Sequence, residues 1–277
     1  MTKIRLDLLM VKKGLAKSRE KAKAMILAGE VMVNGARADK PGVGIDEEAE
    51  IVLKKSGIRY VSRGGLKLEK AIKEFEVDFE DKVVLDVGAS TGGYTDCALK
   101  HGASKVYAVD VGYGQLDWSL RNDPRVVNME KTNVRYLTFE QLGELVDIVT
   151  IDVSFISTSL VFPVVSQLIK PEGIVISLIK PQFEAGREKV GKKGVVRDPL
   201  VHKEVLLKCI KSAAEENLIC QNVTFSPITG PKGNIEYFLK LCPDGEVLND
   251  IEKKLKAVVK EAHEKLGGQK GENSFSK

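Results

Sequence analysis

Short apolar runs alternate with amphipathic segments over most of the chain after residue 80. Each run suits one buried strand, and most are followed by a segment with the apolar spacing of a helix that packs on a sheet. This alternation predicts an α/β fold with a doubly wound, mostly parallel, Rossmann-like sheet. The seven predicted strands are VVLDV, KVYAVDV, VVNM, DIVTIDV, GIVISLIK, QNVTFSPI and NIEYFLKL. Because no helical segment separates the last two, we expect them to form an antiparallel pair at one edge.

The first part of the chain has a different pattern, that of a small ααββ unit. RLDLLMVKK is a predicted helix, and Ser18 is a plausible N-cap for a second helix that ends at Gly29. VMVNG and EIVLK are predicted strands, and ADKPGVGIDEEA between them is a predicted loop. On the second helix, the positions expected to face a core are Ala22, Ile26 and Leu27.

Composition then sets the expected domain boundaries. Residues 1–58 form the small unit, residues 59–63 a linker, and residues 64–245 the main domain. Residues 246–266 are amphipathic, so we expect a C-terminal helix that packs on the main domain. Residues 267–277 are polar and glycine-rich, which predicts a disordered tail. The apolar face of that helix is expected to consist of Val247, Ile251, Leu255, Val258 and Val259.

Charge and apolar content narrow the class of protein. Residues 1–63 contain 14 Lys and Arg against 8 Asp and Glu, whereas the rest of the chain is near neutral. Such a basic front end suits a polyanionic partner, although a solvated lysine-rich surface would look the same. No apolar run approaches the ~20 residues of a membrane span, and the N-terminus resembles no secretion signal. The four cysteines lack metal-site spacing, so we expect buried thiols, no metal and a cytoplasmic location.

A glycine loop follows the first strand of the main domain, in VVLDVGASTGGYTD. The pattern is neither the G-x-G-x-x-G of hydride cofactors nor a phosphate loop ending in Gly-Lys-Ser/Thr. A strand-terminal acid before the loop could meet the cationic end of S-adenosylmethionine, and an acid after the next strand could bind its ribose. The sequence therefore predicts an S-adenosylmethionine site. The residues expected to hold it are Asp86, Gly88, Ser90, Gly92, Gly93 and Asp110.

Ionisable residues stand at the ends of other predicted strands. Ligands of open parallel sheets bind at the carboxyl ends of the strands, and Asp152 and Lys180 lie there. The final strand runs the other way, so its early residue Glu236 is expected at the same edge, with Lys67 leading in from the preceding helix. A lysine avoids burial without a partner, and these carboxylates are natural partners. The cluster could be a structural ion-pair network or a catalytic site.

As a catalytic site, the cluster would remove a proton from a weak acid before attack on a methyl sulfonium. Lys180 would be the general base, driven towards its neutral form by burial and by a second lysine. Lys67 would stabilise the developing oxyanion, and Glu236 would hold Lys67. Asp152 would orient Lys180 and lie near the methyl group. This chemistry needs no metal ion.

The N-terminal unit resembles the S-four RNA-binding module. The likeness lies in RLDLLMVKKGLAKSREKAKAMILAGEVMVNG, with a leading Arg-Leu-Asp, a Ser-Arg that opens the second helix, and Gly-x-Val-x-Val-Asn-Gly. The resemblance implies that the second helix and the nearby loops face RNA. The residues expected to contact it are Arg5, Lys17, Arg19, Lys23 and Arg37.

The larger domain resembles FtsJ-type RNA ribose 2'-O-methyltransferases, whose Lys-Asp-Lys-Glu tetrad matches Lys67, Asp152, Lys180 and Glu236. The blocks SRGGLKLEKA, IDVSFIS, KPQFEAG and GNIEYF closely resemble the TlyA family, with a match over residues 4 to 241. The resemblance implies 2'-O-methylation of cytidine in ribosomal RNA, free or within a ribosomal subunit. By motif position it also places Asn133 and Tyr113 near the cofactor. Members are often labelled haemolysins.

The sequence favours this function over three others. A base-modifying methyltransferase would need a Pro-Pro-aromatic or Pro-Cys segment where the chain has DVSF, and a pore-forming haemolysin would need a long membrane element. A non-catalytic RNA-binding or ribosome-assembly protein stays possible, because S-four modules also occur without enzymes. The clustered ionisable residues favour the enzyme. Neither the composition nor the motifs predict an oligomeric state.

Overall fold

The computed structural model of the protein describes residues 3–16, 18–27, 31–53, 60–245, 248 and 250–267, with the backbone alone for Ala24, Leu27 and Arg37. The chain divides into two compact units, residues 1–59 and 60–277. Several positions singled out in the sequence lie outside the described residues. They are Lys17, Gly29, Arg59, Val247 and the predicted tail from residue 268.

Two helices and five short strands make up the described part of the first unit. The helices are α1 (Leu6–Lys12) and α2 (Arg19–Leu27). The strands are β1 (Lys3–Arg5), β2 (Val31–Val33), β3 (Ala36–Arg37), β4 (Gly44–Asp46) and β5 (Ile51–Leu53). Strand β2 lies between β3 and β5 in an antiparallel sheet, and β1 pairs with β4.

The order of two helices followed by two main strands agrees with the sequence, but the predicted loop contains β4, and β3 lies just before that loop. The residues of β4 show no apolar alternation, so no pattern in the sequence predicts a strand there. The segment is a strand because its backbone groups pair with those of β1 at the very start of the unit. Ala22 and Ile26 are fully buried, as predicted, and pack with residues of α1 and β2.

The second unit is built on a seven-stranded sheet in the order β11-β12-β10-β9-β6-β7-β8. Strands β6 to β10 run parallel to one another, and β12 is antiparallel to both β10 and β11. The predicted doubly wound, mostly parallel sheet and its antiparallel edge pair are confirmed. The strands are β6 (Val83–Val87), β7 (Lys105–Val109), β8 (Val126–Met129), β9 (Val146–Ile151), β10 (Ile169–Ile179), β11 (Ile219–Phe225) and β12 (Tyr237–Cys242).

Helices cover this sheet over two apolar cores. They are α3 (Gly64–Phe75), α4 (Gly93–Lys100), α5 (Trp118–Arg121), α6 (Phe139–Leu142), α7 (Phe162–Leu168), α8 (Pro181–Glu184), α9 (Pro199–Glu215) and α10 (Ile251–Leu266). Helix α10 begins five residues later than predicted. Its apolar face still packs on the main core, through Leu255, Val258 and Val259. No helix in the described residues has the length and apolar character to cross a membrane.

The segment expected to be a linker is in part integral to the second unit. Tyr60 is buried in one of its cores, and the N–H of Val61 donates to the carboxylate of Asp96 at 2.8 Å. Gly65 makes room for the tyrosine ring, because a Cβ at Gly65 would lie 2.3 Å from Tyr60 Cγ. The aromatic side chain therefore anchors the approach to α3, which the composition of the segment did not indicate.

A buried histidine joins three elements of the second unit. His202 on α9 donates from Nε2 to the carbonyl of Val196 at 3.1 Å. Its Nδ1 lies 2.8 Å from the hydroxyl of Tyr237 on β12 and 3.0 Å from Nε2 of His263 on α10. Burial lowers the pKa of His202 to about 4. The imidazole is thus neutral in the native state near pH 6.

This histidine should make stability depend on pH. An unfolded histidine titrates near pH 6.5, so between that pH and about 4 only the unfolded state holds the proton. Stability should therefore fall as the pH decreases, by up to about 3 kcal/mol from this group. Urea unfolding of wild type and of His202→Gln between pH 7.5 and 4.5 measures how the free energy of unfolding of each protein depends on pH. The variant should show a smaller pH dependence, and an equal dependence in both proteins would contradict the assignment.

Candidate active site

A cavity of about 660 Å³ opens at the carboxyl ends of β6, β9 and β10 in the second unit. Parallel sheets bind ligands at this edge, and the volume is in the range of ligand pockets. Its walls are the glycine loop after β6, the start of α3, and the segments after β9, after β10 and before β12. Polar and charged residues that line it include Ser62, Lys67, Ser90, Tyr94, Asp152, Ser154, Lys180, Gln182, Asn234 and Glu236.

One ion pair in this cavity joins neighbouring strand ends. Lys180 directly follows β10 and Asp152 directly follows β9, and these strands are parallel neighbours. The Nζ of Lys180 lies 2.5 Å from Oδ1 of Asp152 and donates to Oγ of Ser154 at 2.8 Å. The ammonium group is therefore buried with an anion and a hydroxyl acceptor beside it, as a buried charge requires.

A second ion pair crosses the cavity from α3 to β12. Lys67 Nζ lies 2.5 Å from Oε2 of Glu236, and both side chains are almost fully buried. Glu236 immediately precedes β12, which runs antiparallel to β10 and so begins at the same edge of the sheet. The structure thus brings together the four residues that sequence reasoning grouped, each lysine with one carboxylate.

Close packing of glycines positions Lys67. A Cβ at Gly93 would lie 2.2 Å from Ser62 Oγ and 2.9 Å from the backbone nitrogen of Gly65. The start of α4 therefore rests against the start of α3, one turn before Lys67. Only a residue without a side chain permits that approach.

The glycine loop is shaped mainly by contacts with the protein itself. Gly88 has a φ of +87°, and a Cβ there would lie 2.5 Å from the carbonyl oxygen of Asp152. At Gly92 a Cβ would meet Leu120 at 2.2 Å, so this glycine faces the core. Gly88, Ser90 and Gly93 line the cavity, whereas Gly92 is not among the lining residues. The expectation that all the glycines face a ligand was thus too simple.

Asp86 does not line the cavity either. Its side chain is fully buried, and its two oxygens accept hydrogen bonds from Thr95 Oγ1 at 2.6 Å and Thr150 Oγ1 at 2.9 Å. Burial raises the pKa of Asp86 to about 6, although these hydrogen bonds oppose the shift. The carboxylate of Asp86 thus ties β6 to α4 and β9, and its expected contact with the cofactor stays a prediction.

Asp110 and the two positions inferred from motifs lie outside the cavity lining. The carboxylate of Asp110 accepts from the N–H of Ser90 at 2.8 Å and from that of Gly112 at 2.7 Å, so it joins the loops after β6 and β7. Asn133 caps a short 3₁₀ turn by accepting from the N–H of Arg135. Tyr113 is exposed, with the ammonium of Lys131 4.2 Å from its ring centre.

Sequence reasoning missed an aromatic pair at the cavity. Phe155 is 87% exposed, with a φ of +66° that is rare for a bulky residue. Its ring centre lies 5.0 Å from that of Phe183, and both residues line the cavity. The sequence signal was present in SFIS and PQFE, which directly follow the two strand ends that carry Asp152 and Lys180.

A buried carboxylate that sequence reasoning also missed joins these two segments. Glu184 accepts from Oγ of Ser157 at 2.6 Å, and from the N–H and Oγ1 of Thr158 at 2.8 and 3.0 Å. Together with the Lys180–Asp152 pair, it fastens the segment after β9 to the segment after β10 at both ends. Glu184 therefore supports the wall of the cavity rather than lining it.

The chain matches the FtsJ-like methyltransferase family over residues 60–242 and the S4 domain over residues 4–51. It is 53% identical to Bacillus subtilis "Putative rRNA methyltransferase YqxC", over 98% of both chains. It is 45% identical to Mycobacterium tuberculosis "16S/23S rRNA (cytidine-2'-O)-methyltransferase TlyA", over 86% of this chain and 89% of that one. The chain belongs to the TlyA family of FtsJ-like methyltransferases.

A solved structure supports the fold of this TlyA-family methyltransferase. A Streptococcus thermophilus protein named "Putative hemolysin" is 45% identical, with a TM-score of 0.77 over 96% of this chain and 98% of that chain. The haemolysin label that the sequence led us to expect is thus present among the relatives. The central sheet described above is the sheet of this family.

S-adenosylmethionine is the cofactor of this methyltransferase family. The cavity fits a cationic nucleoside, because the glycine loop forms part of its wall and Asp152 supplies a carboxylate to its lining. Among the described residues, the buried hydroxyl of Tyr94 and the buried Oε1 of Gln182, two residues of the cavity lining, have no hydrogen-bond partner. The described residues contain no cluster of three or more side chains that could hold a metal ion.

In the S4 domain, a buried acid holds two of the expected RNA-binding arginines together. Asp7 accepts from Nε and Nη2 of Arg5 at 3.1 and 3.0 Å and from Nε of Arg19 at 3.0 Å. Hydrogen bonds from Arg5, with those from Arg19, hold the pKa of Asp7 well below its usual range. Lys23 is half-buried on α2. Lys17 lies outside the described residues, and only the backbone of Arg37 is described.

The TlyA-family site should depend on Glu184 for its shape. In Glu184→Ala, the buried N–H and hydroxyl of Thr158 lose their acceptor, which should lower the free energy of unfolding by about 1–3 kcal/mol and slow methyl transfer. Glu184→Gln keeps an acceptor for both groups and should stay close to wild type. Urea unfolding and methyl-transfer rates at saturating S-adenosylmethionine measure this. A Gln variant as damaged as the Ala variant would exclude this role.

Proposed function

We propose that this protein methylates the ribose 2'-oxygen of cytidine in ribosomal RNA, in the cytoplasm, with S-adenosylmethionine as donor and Lys180 as general base. The single observation that carries the proposal is the pair of lysines, Lys180 and Lys67, held by carboxylates in one cavity at the cofactor edge of the sheet. The tetrad expected from the resemblance is Lys67, Asp152, Lys180 and Glu236.

The substrate is inferred from relatives and from the S4 domain. The M. tuberculosis relative is named for cytidine 2'-O-methylation of 16S and 23S rRNA, and it aligns with 86% of this chain. The described arginines of the S4 domain, Arg5 and Arg19, suit a phosphate backbone because the shared carboxylate of Asp7 pre-orients both guanidinium groups. Ribosomal RNA, free or in a ribosomal subunit, is accordingly the proposed partner.

The chemistry explains why two lysines are needed. A ribose hydroxyl is a weak acid and must lose its proton as it attacks a carbon atom. S-adenosylmethionine supplies that carbon as the methyl group of a sulfonium. A neutral Lys180 would take the proton at Nζ, and the charge of Lys67 would stabilise the oxygen from which it leaves. Glu236 would keep Lys67 charged and in place, and Asp152 would orient Lys180.

The aromatic pair at the cavity supports a nucleotide substrate. Exposed aromatic rings next to a catalytic cavity provide stacking surfaces for unpaired bases, which is how RNA is commonly held for chemistry. Phe155 is largely exposed, and its ring contacts Phe183, three residues after Lys180. A nucleotide whose ribose approaches Lys180 would bring its base to this pair.

Mapping ribose methylation in cells that lack the protein tests the proposal. Wild type should restore one or more 2'-O-methylcytidines in rRNA. Lys180→Ala should not, and neither should Lys180→Arg, because a guanidinium keeps the positive charge but does not give up its proton. Both variants should still bind S-adenosylmethionine in calorimetry. Lys170→Ala is the control, because Lys170 lies on β10, the strand that Lys180 follows, but pairs with Asp147 outside the cavity lining.

Two results would refute it. Full methylation by Lys180→Arg would exclude Lys180 as the base. If no ribose methylation depends on the protein while rRNA binding persists, the protein is a non-catalytic RNA-binding or assembly factor.

The S4 domain should supply the electrostatic part of RNA binding. Arg19→Ala with Lys23→Ala removes two charges from α2, which should weaken rRNA binding and reduce the slope of log affinity against log salt by about two. Filter binding at several salt concentrations measures the slope. Lys203→Ala with Lys260→Ala removes two charges from α9 and α10 as the control. An unchanged slope in the α2 variant would remove these residues from the interface.

A further inference from the structure

A second cavity, of about 330 Å³, lies in the loop between α8 and α9, and most of the residues that line it are cations. Its lining contains no acidic side chain and consists of Lys189, Gly191, Lys192, Lys193, Val195 and Arg197. We refer to these six residues as the basic hollow. Residues 187–197 contain five Lys and Arg and a single acid, Glu188. The chemical step proposed above uses none of these charges.

Most of the positive charge of the basic hollow is not neutralised by the protein. Lys189 pairs with Glu204 on α9, whereas the side chains of Lys192, Lys193 and Arg197 form no ion pair or hydrogen bond with the described residues. All three are exposed. Like charges gathered around one cavity repel one another, and an anion bound among them relieves the repulsion. The basic hollow is thus suited to an anionic ligand.

A residue of the active-site cavity, Asn234, holds the backbone of this loop in place. Its Oδ1 accepts from the N–H of Val196 at 3.0 Å, and its Nδ2 donates to the carbonyl of Gly194 at 2.9 Å. Within the loop, the N–H of Gly194 donates to the carbonyl of Gly191 at 2.7 Å. Asn234 is itself buried and stands two residues before Glu236. The backbone that carries the cations is therefore fixed relative to the proposed tetrad.

The same loop forms part of the wall of the active-site cavity. Val190 and Gly194 line that cavity, and each stands between two residues of the basic hollow. Lys232 lines it too, and its ammonium group lies against the loop, because a Cβ at Gly194 would be 3.3 Å from Lys232 Nζ. Positive charge thus extends from the basic hollow to the cavity that contains Lys180.

The proposed function indicates which anion approaches this surface. A nucleic-acid strand carries one negative phosphodiester group per nucleotide, so a strand whose ribose reaches Lys180 brings neighbouring phosphates past the wall of the cavity. Lysine and arginine side chains are common partners of such phosphates. These contacts fix the position of a nucleic acid without reading its sequence.

We propose that the basic hollow binds a phosphodiester group of the RNA strand that carries the target nucleotide, through Lys192, Lys193 and Arg197. The inference rests on the proposed function and adds a contact with RNA in the methyltransferase domain to those expected from the S4 domain. The phosphate is bound beside the reacting atoms and not at them. Loss of the contact should therefore raise KM for RNA and have little effect on kcat.

Removal of the three charges from the full chain tests the proposal. The substrate is ribosomal particles from cells that lack the protein. In the triple variant Lys192→Gln, Lys193→Gln and Arg197→Gln, KM for these particles should rise by about 10-fold, and the slope of log affinity against log salt should fall by about two. The control, Lys253→Gln with Lys254→Gln and Lys256→Gln, removes the same charge from exposed positions of α10 and should stay close to wild type in both measurements.

A tethered probe shows where the basic hollow meets the RNA. Iron-EDTA attached to Lys192→Cys generates hydroxyl radicals, which cut the RNA backbone nearby. The cuts should flank the methylated nucleotide, whereas the same probe on Lys256→Cys should not cut there. Labelled wild type gives the background from the natural cysteines.

The outcomes separate this inference from the proposed function. An unchanged KM in the triple variant overturns the inference, and so does an equal rise in the α10 control or a pattern of cuts remote from the methylated nucleotide. If wild type methylates no ribose, the proposed function fails and the inference fails with it. If wild type methylates ribose and the triple variant matches it in KM and salt dependence, only the inference fails.

Discussion

The burial of two lysine ammonium groups is the constraint on which the active site depends. A buried cation needs an anion in contact, and removing one partner of such a pair costs several kcal/mol. The sheet order meets this need: β9 beside β10 brings Asp152 to Lys180, and β12 beside β10 brings Glu236 to the edge where α3 delivers Lys67. The pairing of the two lysines therefore depends on the strand order, since another order would leave a lysine buried and unpaired.

Two further buried carboxylates support the site without facing it. Asp86 and Glu184 are bonded to hydroxyl and backbone groups, and neither forms an ion pair among the described residues. Asp86 fixes the strand before the glycine loop to its neighbours, and Glu184 fastens the turn that carries Gln182 to the segment after β9. Short hydrogen bonds of these two carboxylates thus hold the walls of the cavity, so the polar groups that line it are oriented before any ligand arrives.

Much of this arrangement could be predicted from the sequence because it depends on strand ends. Apolar runs locate the strands, and a lone acid or lysine after each run identifies Asp152 and Lys180. Side-chain direction is different: Asp86 precedes the glycine loop as a ligand-binding acid would, yet points to Thr95 and Thr150. No periodicity reveals that, nor that Gly88 serves a contact with the Asp152 backbone. Strand β4 was not predicted, because it is a strand only through its pairing with β1, which is far away in the sequence.

The two lysines, to which the sequence analysis gave different roles, also differ in their surroundings. The Lys67–Glu236 side chains are 8% and 2% exposed, whereas Asp152, the partner of Lys180, is 20% exposed and faces the cavity. The Lys67–Glu236 pair is thus the more enclosed of the two, although both of its residues also line the cavity. The carboxylate of Asp152 is open to a cationic ligand. The positive charge of such a ligand would weaken the electrostatic attraction between Asp152 and the ammonium group of Lys180. The two pairs therefore differ in what a cofactor in the cavity could contact, and the carboxylate beside Lys180 is the more accessible one.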